Sequence, residues 1–153
     1  MRIAIGADHA GYRLKGEVVR FLSNEKTEFE DFGVFNTERS DYPDIGVRVA
    51  EAVANGEFDR GILICASGIG MSITANKVPG VRAALCSDTY CARLSREHND
   101  SNVLVLGERV TGVGPALDIV RTWLSTDFPG EERHARRVRK ILAIEKKYTG
   151  GGR

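Results

Sequence analysis

No stretch of the 153-residue sequence approaches the roughly 18 apolar residues needed to cross a bilayer. The only short apolar run near the start, in MRIAIGADHAGYRLKGE, is broken by Asp8 and does not read as a secretory signal. Cysteine is scarce: three residues, Cys65, Cys86 and Cys91, odd in number and without a CxxC pair. Such a set reads as reduced thiols in a cytoplasmic protein rather than a disulfide framework or zinc site. Net charge is nearly absent at +1, so no bulk field recruits nucleic acid or an anionic membrane. Any attraction for an anion must be local. Internal repeats, low-complexity tracts and long linkers are also missing.

The remaining composition is 42% hydrophobic and 28% charged, the balance of a globular chain. At this length folding buries roughly 70% of the unfolded surface, enough to need no metal or disulfide. One domain over 1–148 is expected, with 149–153 as a flexible tail.

Apolar runs and helical periods alternate throughout. Strands are expected at Arg2–Ala7, Glu28–Phe32, Gly61–Cys65, Val81–Cys86 and Val103–Leu106, the last three as buried strands. Helical patterns follow through Leu14, Val18, Val19 and Leu22, then through Ile45, Val49 and Val53, where Asp41 is the expected N-cap. Further helices are expected after Gly70 and over Thr89–His98, Pro115–Leu124 and Glu131–Lys147. The fold expected is α/β: a three-layer, Rossmann-like five-stranded parallel sheet, doubly wound by helices, with an added C-terminal helix. Ligands of such folds bind beyond the carboxyl ends of the strands, at the switch in strand order. That rule selects Asp8-His9, Cys65–Gly70, Asp88 and Gly107–Arg109.

The strongest local signal is Cys65-Ala66-Ser67-Gly68-Ile69-Gly70. Its small residues let backbone N–H groups converge at a helix N-terminus, where the dipole favours an anion and a thiolate. The competing reading is a tight turn with a buried cysteine as a small hydrophobe. It is not a P-loop, because no Gly-Lys-Ser/Thr follows, and Met71 stands where a C-x5-R phosphatase loop needs arginine. Asp8-His9 and the 96–100 stretch with His98 are read as lying on one rim. A metal site is disfavoured, since Asp8, His9, His98 and His134 lack ligand spacing. Arg133 and Arg137 are four apart on the last helix, so both guanidinium forks can meet one phosphate; a solvated charged face is the alternative. Nucleic-acid binding is disfavoured, because no aromatics interleave this cluster.

Together IAIGADHAGYRLK, SDYPD, GILICASGIGMSITANK, LSREHNDSNVLVLGERV and RHARR resemble the family of type B ribose-5-phosphate isomerases and galactose-6-phosphate isomerase subunits. The resemblance spans nearly the whole chain in order. It implies an aldose–ketose isomerase working through a cis-enediolate, with no cofactor or metal. Cys65 then looks like the base and Ala66, Ser67, Gly68, Ile69 and Gly70 like the backbone anion hole. Ser67 looks like the hydroxyl handling the O1 or O2 proton. His98, with Asp8 near it, looks like the acid–base that opens the sugar ring. His9, Arg109, Arg133 and Arg137 look like phosphate or sugar contacts, and Tyr42 and Asn99 like sugar contacts. Some relatives place a Glu base at position 71; Met71 here implies the cysteine type, with the 71 side chain facing the same substrate carbons. Homodimers or homotetramers with sites shared between subunits are also implied. Ribose 5-phosphate is the substrate expected first, with tetrose or hexose phosphates as alternatives. A non-catalytic sugar-phosphate regulator is disfavoured because Cys65, Ser67 and His98 are all present.

Overall fold

The computed structural model describes residues 1–150. Strands β1 (Arg2–Ala7), β2 (Glu28–Asp31), β3 (Arg60–Cys65), β4 (Ala83–Leu85) and β5 (Val103–Gly107) form one parallel sheet in the order β2-β1-β3-β5-β4. Between and after them run α1 (Tyr12–Asn24), α2 (Tyr42–Ala54), α3 (Ile69–Ala75), α4 (Thr89–Asn99), α5 (Val113–Ser125) and α6 (Glu132–Thr149).

The continuous apolar runs take the middle of the sheet. β3 and β5 are buried at every position, and β1 at all but its first. With side chains alternating between faces, each strand feeds two cores. On one face Ile3, Ile5, Ile62, Ile64, Leu104 and Leu106 meet α1, α4 and α5 around the buried Trp123. On the other, Leu63, Cys65, Val103 and Val105 meet Val49 and Val53 of α2 and Met71 and Ala75 of α3. The expected three-layer α/β fold is present, and α6 packs outside it against α4.

Three expectations need correction. Val81–Cys86 is not a buried strand: only Ala83–Leu85 pairs, half-buried to exposed, because β4 is an edge with a single neighbour. Asp41 occupies the N-cap of α2 but its side chain caps nothing. The C-terminal helix runs through Thr149 with Gly150 as its cap, so the expected tail does not begin at 149. Positions 151–153 of that tail lie outside the described residues.

Lys15 was expected only as part of a helix and is 2% exposed. Its ammonium donates to both oxygens of Asp31, at 2.6 and 2.7 Å, and to the Val34 carbonyl at 2.7 Å. A buried lysine needs such pairing. Here it ties α1 to the segment leaving β2.

Candidate active site in two halves

Strand order reverses at β1, whose crossovers lead to β2 on one side and β3 on the other. The crevice beyond the carboxyl ends of β1 and β3 is therefore the expected ligand site. The two turns there are packed tightly. A side chain at Gly11 would come within 2.4 Å of the Ile64 carbonyl oxygen, so only glycine lets the turn after β1 approach β3.

In that turn Asp8 is 5% exposed, and its Oδ1 accepts from the N–H groups of Ala10 and Gly11, each at 3.0 Å. His9 is held by Ser40: its N–H donates to Ser40 Oγ at 3.1 Å, and Nδ1 lies 3.2 and 3.3 Å from the Ser40 carbonyl oxygen and amide nitrogen. A cleft of about 640 Å³ opens beside His9, lined also by Arg39, Ser40 and Asp44.

Cys65 ends β3 and is 4% exposed, with Sγ accepting from the Gly68 N–H at 3.1 Å. Ser67 Oγ accepts from the Ile69 N–H at 3.3 Å. Gly68 has φ of +81°, and any Cβ there would strike Leu85 Cδ1 at 2.4 Å. The positive φ is what calls for glycine here. Gly70 lies under the Tyr42 ring, which a Cβ would meet at 2.6 Å, so Tyr42 and the 66–70 turn form one surface. Arg109 is exposed on the turn after β5, with its N–H donating to the Ala66 carbonyl at 2.9 Å.

The other two cysteines differ in kind. Burial pushes the Cys86 thiol up to about 11. The hydrogen bond to Asp88 raises Cys91. Asp88, one of the residues selected at the strand ends, caps α4 by accepting from the Cys91 N–H at 2.7 Å.

Within one chain His98, Asn99, Arg133 and Arg137 are not on the rim that holds Asp8 and Cys65, which corrects the reading of Asp8-His9 and the 96–100 stretch as lying on one rim. A helix leaving a parallel strand runs back along it, so α4 starts beside the carboxyl end and delivers His98 and Asn99 to the amino end. The Arg82 side chain, just before β4, donates to the Asn99 carbonyl at 3.2 Å, and the Gly61 N–H, at the start of β3, donates to the Asn102 carbonyl at 2.8 Å. α5 also runs back, and the Arg60 guanidinium at the start of β3 donates to the carbonyls of Trp123 and Leu124. α6 then begins at this amino end. With five or six residues per strand, the two groups stand roughly a sheet length apart, about 17–20 Å.

Around His98 lies a second cleft of about 530 Å³, lined by Glu97, Thr126, Glu131, Arg133 and His134 among others. His134 was outside the expected site, yet its ring stacks on that of His98, with centroids 4.0 Å apart and planes 5° from parallel. His134 is 3% exposed and neither ring nitrogen has a hydrogen-bond partner. Burial, then the neighbouring His98 and Arg133, hold its pKa below the ordinary 6.5. Its signal in the sequence was hidden by the charged neighbours of RHARR. Arg133 and Arg137 are exposed one turn apart, and Arg133 Nε donates to Glu131 at 3.2 Å. Asn99 instead lines a third cleft, of about 670 Å³, between α6 and the β4 edge.

Met71 departs furthest from expectation. It is fully buried in the core between α2 and α3, and a Cβ on Gly46 would lie 3.0 Å from its sulfur. It faces the core, not the crevice.

Among the described residues no three His, Cys, Asp or Glu gather as metal ligands. Among the described residues no helix is long and apolar enough to cross a membrane.

Comparison with known proteins agrees with this architecture. The chain is 50% identical over 146 residues to "Ribose-5-phosphate isomerase B" of Escherichia coli, covering 95% of this chain and 97% of that one. It is 43% identical over 131 residues to "D-erythrulose-4-phosphate isomerase" of Pectobacterium atrosepticum, covering 85% and 86%. The solved structure of Clostridium thermocellum ribose-5-phosphate isomerase B superposes with a TM-score of 0.95 at 60% identity, covering 97% of this chain and 100% of that one. Residues 3–141 match the profile described as Ribose/Galactose Isomerase. On sequence and fold alike, the chain belongs to the ribose/galactose isomerase family.

Proposed function

We propose that this enzyme interconverts ribose 5-phosphate and ribulose 5-phosphate through a cis-enediolate, with Cys65 as the base. The observation that carries the reading is the Cys65 sulfur at the switch point, facing the Gly68 N–H at 3.1 Å, at the entry of a helix. Isomerisation removes a weakly acidic C–H proton and builds negative charge on oxygen. It needs a positioned base and donors for the oxyanion, each worth about 3 kcal/mol when well placed.

In this mechanism His98 and Asp8 open the furanose ring. Asp8 commits Oδ1 to its own turn, which leaves Oδ2 for a sugar hydroxyl. Cys65 then takes the proton from C2 of the aldose. The electron pair forms the C1–C2 double bond, and the carbonyl oxygen becomes an oxyanion beside the N–H groups of residues 66–70. Ser67 exchanges the proton between O1 and O2, and Cys65 returns its proton to C1. His9, Arg109, Arg133 and Arg137 hold the phosphate, so that remote binding energy fixes the reacting carbons. Tyr42 and Asn99 contact the sugar.

His98, Asn99, Arg133 and Arg137 stand a sheet length from Cys65 of their own chain, so in this reading a second copy supplies them: the active unit is a homodimer or a pair of dimers. No redox or metal cofactor enters the scheme. The three cysteines are unpaired, which fits a cytoplasmic enzyme.

A tetrose phosphate is the second reading, favoured by the 43% identity to the Pectobacterium relative named for erythrulose 4-phosphate. The deciding experiment measures kcat/KM over C4, C5 and C6 aldose phosphates. Ribose 5-phosphate is expected to lead. A lead for a tetrose or hexose phosphate overturns the substrate, and no turnover of any sugar phosphate overturns the activity.

A further inference from the structure

Helix α1 starts without a cap of its own. Its N-cap is Gly11, which the approach to Ile64 forces, and no acidic residue stands in its first turn. The Leu14 N–H, at the position an N-cap side chain normally satisfies, is thus left to be met from elsewhere. It donates to Glu108 Oε2 at 2.9 Å, from a residue 94 positions away on the turn after β5. A carboxylate is also the charge that a helix N-terminus favours.

The backbone of Glu108 is fixed on its other side. Its N–H donates to the Cys65 carbonyl at 2.9 Å, and the next N–H, of Arg109, donates to the Ala66 carbonyl at 2.9 Å. At Gly107 a Cβ would lie 2.6 Å from the Ser67 carbonyl oxygen, so the two turns are in van der Waals contact. Glu108 thereby bridges the turn that carries Cys65 and the start of α1, the helix that follows the Asp8-His9 turn. Among the described residues its carboxylate has no ion-pair partner. Leu14 is its one hydrogen-bond partner there.

We infer that Glu108 is a positioning residue, setting the distance between the Asp8-His9 turn and Cys65 through its bond to the Leu14 N–H. This rests on the isomerase reading above. Without the bond the start of α1 is free to shift against β3, and a 1 Å misplacement of reacting groups can cost ~10²-fold. Glu108 touches no substrate in this account, so its loss acts on kcat more than on KM.

The test compares Glu108→Ala, Glu108→Gln and Glu108→Asp in the full chain. Two readouts are taken: kcat and KM on the best substrate of the aldose-phosphate panel, and amide hydrogen exchange at Leu14. Alanine is expected to lower kcat about 10- to 100-fold, with KM within threefold and faster Leu14 exchange. Glutamine keeps an acceptor oxygen at the same reach and is expected to retain at least a third of kcat and slow exchange. Aspartate keeps the charge but is one methylene short, and should behave as alanine does. Should alanine fail to fold, the contrast between glutamine and aspartate decides. Unchanged Leu14 exchange in aspartate or alanine, or an aspartate variant as active as wild type, overturns the inference while leaving the isomerase reading intact. A wild type inactive on every sugar phosphate overturns both, and the exchange data then report only a helix cap.

Discussion

The imidazoles of His98 and His134 stack face to face, 4.0 Å between centroids, joining the last turn of α4 to the first turn of α6. Positive charge on the His98 ring at that distance disfavours a proton on His134. Burial, His98, Arg133 and Arg137 all press His134 toward its neutral form, and only Glu131 opposes them. The unfolded chain protonates near 6.5 while folded His134 protonates at lower pH. The unfolded state therefore binds more protons in that window, and stability must fall as pH drops below about 6.5. Urea unfolding between pH 5 and 8 is expected to show this fall, and His134→Phe, which keeps a flat ring without the titration, to flatten it. An identical slope in both proteins would assign the fall to another group.

Cys65→Ala is expected to lower kcat by at least ~10²-fold while leaving sugar-phosphate affinity nearly unchanged. The reason is spatial: the proposed phosphate contacts His9, Arg109, Arg133 and Arg137 lie on other elements. Turnover and binding of a non-reacting sugar phosphate are measured on the same preparation. Retention of more than about a tenth of kcat removes Cys65 from the role of base.

If each site takes Cys65 from one chain and Arg137 from another, two dead variants complement. Cys65→Ala and Arg137→Ala homodimers are each expected to be nearly inactive. A mixed dimer has one site carrying both lesions and one carrying neither, so exchange of subunits should restore activity toward a quarter of wild type in a random equimolar mixture, where half the dimers are mixed and each has one intact site. No recovery after mass spectrometry has verified exchange would place both residues in one chain's site.

The layout of this site was half legible in the sequence. β1, β3 and β5 were plain because RIAIGA, GILIC and VLVL are unbroken apolar runs, and such strands belong in the middle of a parallel sheet. The carboxyl-end rule then located Asp8, His9 and Cys65. The position of His98 is not legible in the sequence, because a place at a helix end does not say which edge of the sheet that end reaches: the last turn of α4, following a parallel strand, returns to the amino edge. β4 was overextended because an edge strand and a buried one look alike over a short apolar run. Lys15 and His134 were out of reach, since nothing in YRLK or RHARR marks which polar side chain turns inward; their partners, Asp31 and His98, are brought by the fold.

Met71 offers the sharpest test of how α3 is oriented. In this chain the 71 side chain is fully buried between α2 and α3, with its sulfur 3.0 Å from where a Gly46 side chain would begin. A carboxylate placed there would sit in the apolar cluster between α2, α3 and the sheet. Burial raises the pKa of such a group by up to 3–5 units, each worth ~1.4 kcal/mol of folding energy. Met71→Glu is therefore expected to cost about 4 kcal/mol or more, a large share of the 5–15 kcal/mol typical of a domain. The helix dipole at the start of α3 recovers only part of this, at most about 2 kcal/mol. The double variant Cys65→Ala with Met71→Glu should consequently unfold at lower urea than Cys65→Ala and turn over no faster at any pH. A folded double variant that outpaces Cys65→Ala would mean that the first turn of α3 rotates to bring position 71 into the crevice.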